Sequence, residues 1–253
     1  LIFMSGHSKW SSIKHKKGAA DAKRGKIFTM HAKLIAIAAQ SGADPEMNPN
    51  LRSAIDRAKA DNVPNANIDR AVKKGSGADK DAANYEEITY EAMGPGGTAF
   101  MIDVITDNKL RALTNVKTIV NKRGGNMGSS GSVAWKFEKK AMLVVDTAGT
   151  DTDEAELLLI DCGADDLQPG EGSEFELYAA ADKLATVRTA VEAAGFKVKK
   201  DELIWKAKDE VKVTDAALAK KIVTLVEAVE EDEDVNQVFS NVDFDDSVLA
   251  ELG

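Results

Sequence analysis

Apolar residues recur at helical spacing from Ala19 onward. Ile27, Leu34, Ile35 and Ala38 mark one face of a helix that Gly42 and Pro45 bring to an end. Asn48-Pro49 predicts the start of a second helix, because asparagine caps well and proline suits the first helical position. Its stripe is Leu51, Ala54, Ile55 and Ala58, and Asn62-Val63-Pro64 breaks it. A third helix over about 67–74 turns Ile68 and Val72 inward and stops at Gly75. Each helix offers only one apolar stripe, so none is stable without the others. Residues 4–18 are polar and show little periodicity, so they are expected to be mobile in isolation.

After the linker Gly75-Ser76-Gly77-Ala78 the period changes from helix to strand. Residues 85–92 and 98–106 predict two strands, joined by Met93-Gly94-Pro95-Gly96-Gly97. A helix over about 108–122 carries Leu113, Val116 and Val120, and Gly124-Gly125 ends it. Residues 132–138 predict another strand. The next run is a complete unit: strand 141–147, helix 151–162, strands 165–168 and 173–179, helix 182–194, strand 196–205. This βαββαβ order is the ferredoxin-like arrangement. The last pieces are a helix over 214–230, with Leu218, Ile222, Leu225 and Val229 inward, and a strand near 235–241. One helix and one strand cannot make a domain. The economical solution lets them complete the sheet begun at 84–138.

The fold class expected is therefore α+β in three domains. Residues 4–80 form a basic helical domain, 81–139 plus 207–253 a discontinuous α/β sandwich domain, and 140–206 an inserted ferredoxin-like domain.

Charge changes the picture more than composition does. The stretch from Ser5 to Lys33 holds seven Lys, one Arg and the single acid Asp21, a formal charge of +7. The whole chain of 253 residues carries −9, which leaves −16 outside that stretch. A cationic arm on an acidic body suggests a partner with a phosphate backbone touched along one face. Trp10 and His15 lie among the lysines, and flat rings can stack on unpaired bases. Arg52, Arg57, Lys59, Arg70, Lys73 and Lys74 extend the positive charge along the helices. The hydrophobic share of 43% is ample for packed cores. The one cysteine, Cys162, excludes an internal disulfide framework and fits a reducing cytoplasm. No apolar run approaches ~20 residues, so no membrane span is expected. Leu1-Ile2-Phe3 is too short for the core of a signal peptide, and Met4 is expected to be the natural start.

Several motifs carry a resemblance. Gly6-His7-Ser8-Lys9-Trp10, Ile13-Lys14-His15-Lys16-Lys17 and Asp21-Ala22-Lys23-Arg24-Gly25-Lys26-Ile27-Phe28-Thr29 open the chain. Asn50-Leu51-Arg52-Ser53-Ala54-Ile55 and Asn67-Ile68-Asp69-Arg70-Ala71-Val72-Lys73-Lys74-Gly75 follow. Further on stand Tyr90-Glu91-Ala92-Met93-Gly94-Pro95-Gly96-Gly97, Thr106-Asp107-Asn108 and Gly124-Gly125-Asn126-Met127-Gly128, with Gly131-Ser132-Val133. Together these resemble the YebC/PmpR family, which includes the mitochondrial translational activator of cytochrome c oxidase subunit I. The chain departs from the family at Met30-His31-Ala32, where Lys-Leu is more usual. The resemblance implies the same three-domain layout. It also implies a regulator of gene expression, described either as a DNA-binding transcriptional regulator or as a ribosome-associated translation factor.

No enzyme signature stands out, and the chain is not expected to be an enzyme. Gly75-Ser76-Gly77-Ala78-Asp79-Lys80 lacks the spacing of a phosphate loop. The Gly125, Gly128, Gly131 series follows a helix rather than a strand, so it reads as a helix stop and turn, or as backbone amides that approach a phosphate. His7, His15 and His31 have no cysteine partners and only Asp21 near them, which disfavours a metal site or a Ser–His–Asp triad unless an acid arrives from another domain. Cys162 ends an apolar helix and reads as a packed thiol. The acidic run 230–234 and Asp243, Asp245 and Asp246 read as a solvated turn and tail, or as a surface that repels nucleic acid or docks the basic arm. No cofactor is expected.

The site expected is a nucleic-acid contact formed by Lys9, Trp10, Lys14, His15, Lys16, Lys17, Lys23, Arg24 and Lys26. The lysines and Arg24 would neutralise phosphates, while Trp10 and His15 would stack or donate. The partner is DNA or ribosomal RNA, with the ribosome as a candidate and no membrane. Lysine dominance with single rings leans towards RNA or single strands, because a reader of duplex sequence usually presents a helix with Arg, Asn or Gln. The alternatives are a protein-interaction scaffold using 140–206, and an enzyme with a site between domains.

Overall fold

The computed structural model describes residues 20–77, 84–170 and 172–252. Its first part is three helices: α1 (Ala20–Ala39), α2 (Pro49–Ala60) and α3 (Asn65–Gly75). Asn48 caps α2 as its sequence predicts, its side-chain oxygen accepting from the Leu51 amide at 3.1 Å. Ile35, Ala39, Leu51, Ala54, Ile55, Ala58, Ile68 and Ala71 form the shared core. Two expectations change here. Ile27 does not face that core; it is 44% exposed. Gly75 does not stop α3 from outside but is its last residue. A β-carbon there would lie 2.0 Å from the Ala36 carbonyl oxygen, so glycine is what lets α1 and α3 cross so closely.

The second part is an antiparallel sheet built from β1 (Glu86–Met93), β2 (Ala99–Thr106), the two-residue β3 (Asn126–Met127) and, from far along the chain, β9 (Val235–Ser240). The order is β3-β1-β2-β9, so the C-terminal piece does complete this sheet. Helices α4 (Lys109–Lys122) and α7 (Ala216–Glu230) cover one face. Phe100, Ile102 and Val104 of β2 meet Val116 and Val120 of α4 and Ile222, Leu225 and Val229 of α7 there. Sequence periodicity misses the short parallel pair β8 (Val211–Val213) with β10 (Val242–Phe244), and the final helix α8 (Asp246–Leu252).

The third part contains β4 (Phe137–Asp146), α5 (Thr152–Asp161), β5 (Asp166–Pro169), β6 (Glu174–Ala180), α6 (Leu184–Ala193) and β7 (Lys197–Ala207). Its sheet order, β5-β6-β4-β7, is that of a ferredoxin-like unit inserted between the two halves of the second domain. Helices α5 and α6 cover its outer face through Ala155, Leu159, Val187 and Val191. Its inner face meets the other face of the β1-β2-β9 sheet. Ala99, Met101 and Phe239 pack there against Met142, Tyr178 and Ile204. The two domains thus make four layers, helices outside and two sheets inside.

The strand expected over 132–138 does not form. Ala134–Lys136 is a 3-10 turn, and β4 starts only at Phe137, continuing without a break to Asp146. The Glu91 carboxylate is the reason. It accepts from the amides of Gly131 at 2.6 Å, Val133 at 2.7 Å and Ala134 at 2.8 Å, which takes the donors a strand would need for its ladder.

Candidate nucleic-acid interface

Of the residues expected to contact nucleic acid, Lys9, Trp10, Lys14, His15, Lys16 and Lys17 lie outside the described residues. Lys23 falls in the first turn of α1, and Arg24 is exposed one residue later.

Lys26 reaches across to another domain. Its ammonium donates to the carbonyl oxygens of Glu230 and of Asp232, the latter at 2.7 Å. These belong to the end of α7 and the turn beyond, where carbonyls lack helical partners and the dipole favours a cation. These bonds tie Lys26 of α1 to the end of α7. Two turns on, Lys33 does the same more deeply. Its Nζ donates to Ile105 O at 3.0 Å, Glu233 O at 2.8 Å and Asp234 Oδ1 at 2.8 Å. Its side chain is 8% exposed, and that of Asp234 is 1%. Arg111 of α4 closes the other carboxylate oxygen, Nη2 to Oδ2 at 2.8 Å, and Thr106 Oγ1 donates to it at 3.1 Å. Burial alone would push the Asp234 carboxyl up, but the bonds from Lys33 and Arg111 outweigh it and hold the group below the ordinary range. Tyr85 finishes the junction, with the Lys74 ammonium 5.1 Å from its ring centre and the Lys33 ammonium at 5.9 Å.

The acidic run 230–234 is thus not simply a solvated turn. Its carbonyls and Asp234 grip α1, while Glu231 and Glu233 remain exposed. Lys33 and Asp234 escaped sequence reasoning. The available signal was a lysine at the apolar spacing of α1, seven residues after Lys26, together with the last acid of a run that leads directly into a strand.

Elsewhere on the helical domain, Lys59, Arg70 and Lys73 are exposed. Arg52 is tied to Glu46 at 3.1 Å. His31 does have an acid partner, and it comes from the same domain: its Nε2 lies 2.6 Å from Asp61 Oδ2. Among the described residues no group of three or more His, Cys, Asp and Glu is placed to hold a metal ion. Cys162 is half-buried against the core of the inserted domain, and burial, then Asp161, push its thiol up, away from thiolate chemistry. The glycine amides that might have met a phosphate are already taken: Gly125 donates to Val120 O, Gly128 to the Glu91 carbonyl and Gly131 to the Glu91 carboxylate. Burial raises that carboxyl, and the amides of Val133, Gly131 and Ala134 with the Ser132 hydroxyl bring it below the ordinary range.

Taken together, these features define a three-domain α+β protein in which a basic helical domain is clamped onto an acidic two-sheet body. Comparison with known proteins places it further. Residues 8–78 match the TACO1/YebC protein N-terminal domain, and residues 85–242 match the TACO1/YebC second and third domain. The chain belongs to the TACO1/YebC family. Similar relatives include a "Probable transcriptional regulatory protein" of Finegoldia magna, 44% identical over 95% of this chain and 99% of the relative. One from Koribacter versatilis is 45% identical over 98% of this chain and 99% of its own. Among solved structures, the conserved hypothetical protein Aq1575 from Aquifex aeolicus superposes with a TM-score of 0.85. It is 38% identical, over 94% of this chain and 98% of that one. These relatives bear the name of probable transcriptional regulatory proteins. No helix among the described residues is long and apolar enough to cross a membrane.

Proposed function

We propose that this protein is a non-enzymatic, nucleic-acid-binding regulator of gene expression that acts in the cytoplasm and grips its target through the basic N-terminal arm. The observation that carries the reading is charge polarity: +7 in Ser5–Lys33 against −16 in the rest. The contact residues are Lys9, Trp10, Lys14, His15, Lys16, Lys17, Lys23 and Arg24. Lys26 is left out because its ammonium is spent on carbonyls. The regulatory names of the relatives support the reading at the level of gene expression. RNA, including ribosomal RNA, is the favoured target, because a lysine-rich arm dotted with single rings suits shaped or unpaired strands better than duplex sequence.

The test is the salt dependence of binding. With six phosphate contacts, log affinity should fall against log salt with a slope of roughly −4 to −5. Replacing Lys9, Lys14, Lys16 and Lys17 with glutamine should cut the slope by roughly 3. A slope near zero in the unaltered protein removes the mechanism. A second reading, a protein-interaction scaffold, draws on α5, where Leu157 is 66% and Ile160 is 53% exposed. It would gain if Leu157→Glu with Ile160→Glu abolished regulation while the lysine variants preserved it.

A further inference from the structure

We propose that Trp135, with Lys136, Lys139 and Lys208, forms a second nucleic-acid contact that takes an unpaired base of a single strand. The inference rests on the nucleic-acid reading above and adds a site remote in sequence from the arm.

Tryptophan carries a large apolar ring and is usually well covered. Trp135 is 61% exposed. Its ring is nevertheless held in place. The indole Nε1 donates to Ser132 O at 3.1 Å, which spans a single turn. That turn is itself pinned by Glu91 through the amides of Gly131, Val133 and Ala134. An exposed ring fixed in advance loses little freedom when a flat partner stacks on it.

The surroundings supply cations. The Lys136 ammonium lies 4.6 Å from the Trp135 ring centre. The Lys208 amide donates to Lys136 O at 2.8 Å, which sets the exposed Lys208 beside it. Lys139 pairs in register with Trp205 and sits 5.5 Å from that indole's centre. Lys140 and Lys206 differ. They are held by carboxylates, Lys140 by Asp165 at 3.2 Å and Glu138 at 3.3 Å, and Lys206 by Asp166 at 2.5 Å. Lys206 also lies 3.8 Å from the centre of the Tyr178 ring. Lys136 and Lys139 lie over Trp135 and Trp205, with the Asp103 carboxylate within electrostatic reach of Lys139. Lysines interleaved with an exposed ring are what a sequence-tolerant single-strand contact uses: the ring stacks on a base face and the ammonium groups meet the flanking phosphates. A base inside a duplex cannot offer its face, so the site selects unpaired nucleotides.

The test uses the full chain, a short fluorescent oligouridine and an RNA duplex of equal length, with binding read by anisotropy. Trp135→Ala should weaken oligouridine binding about 5- to 100-fold. Duplex binding should change by less than about 2-fold, and Trp135→Phe should keep most of the single-strand affinity, because a ring remains. The far-ultraviolet spectrum and urea midpoint of the variant should match the parent, since the ring is exposed. Unchanged oligouridine affinity in Trp135→Ala overturns the proposal and leaves the arm reading standing. So does an equal loss on both probes, which would mean that no stacking distinguishes them. If the parent protein binds neither probe, the arm reading fails and this inference goes with it.

Discussion

The basic helical domain and the inserted ferredoxin-like domain are both attached to the same central sheet, by different physics. The inserted domain joins through an apolar seam, in which Met101 and Phe239 on one sheet meet Met142, Tyr178 and Ile204 on the other. The helical domain joins through ammonium groups: Lys26 and Lys33 on carbonyls, and Lys33 on Asp234, whose other oxygen Arg111 of the central domain holds. An apolar seam is non-directional and has no Coulombic attraction for salt to screen. A buried charge cluster is strict about geometry and gives way when one member is lost. The first arrangement makes two domains one body. The second fixes one orientation of α1 without requiring a large apolar face on a domain whose surface is charged.

The contrast is broken most strongly at the seam. Phe239→Ala should cost about 4 kcal/mol, as for other large-to-small changes at fully buried aromatic sites. Urea denaturation should show a lower midpoint that moves little with added salt. Asp234→Ala comes next, at about 3 kcal/mol, because it leaves the Lys33 ammonium buried without its carboxylate. Its chief effect should fall on the helical domain, read by limited proteolysis between α3 and β1.

Acid sharpens the same difference. The folded carboxyl of Asp234 lies below its unfolded value. A group of this sign contributes its full stability above the unfolded value, near pH 4, and loses it as the pH falls through the folded value. The junction should therefore loosen first on acidification, and Asp234→Asn should be less stable at neutral pH with a flatter decline below about pH 4. Glu91→Gln should cost about 2 kcal/mol, since three charge-assisted bonds weaken together and the turn under Trp135 loosens. Its acid limb should flatten in the same direction, because the Glu91 carboxyl is also held below the ordinary range. Hydrogen exchange of the Gly131, Val133 and Ala134 amides would report it.

Much of the fold was legible because periodicity in it is local. The stripe Leu51, Ala54, Ile55, Ala58 is buried as read, and so are Ile222, Leu225 and Val229 of the other stripe, while its Leu218 is only half-buried. The βαββαβ order appears because each element is long enough to show its own period. What stayed hidden depends on partners distant in sequence. Residues 132–136 look like a strand until Glu91, forty residues upstream, takes their amides. Lys33 looks like a surface lysine until β2, α4 and the 230–234 turn close around it. Gly75 reads as a helix stop because a pattern along one helix does not show that Ala36 passes against it. For the candidate interface, charge polarity was plain in the sequence. That Lys26 is diverted to the junction, and that Trp135 is exposed over an ordered turn, needed three dimensions.

The smallest expected effect is the most telling about the arm. Lys26→Gln removes a cation from the end of α7, where such a charge contributes about 0.3–1 kcal/mol. Lys33, Asp234 and Arg111 remain, so the fold should hold and the urea midpoint should shift little. If Lys26 were a phosphate contact, the substitution would lower the salt slope of binding by about 0.7–0.9, as for any other neutralised phosphate. If it is the outer half of the clamp, the slope should stay the same. Affinity should then fall only modestly, because α1 is less firmly held while the arm's own charges are intact. Measuring slope and affinity together separates the two roles, since a lost phosphate contact changes both and a loosened clamp changes only the second.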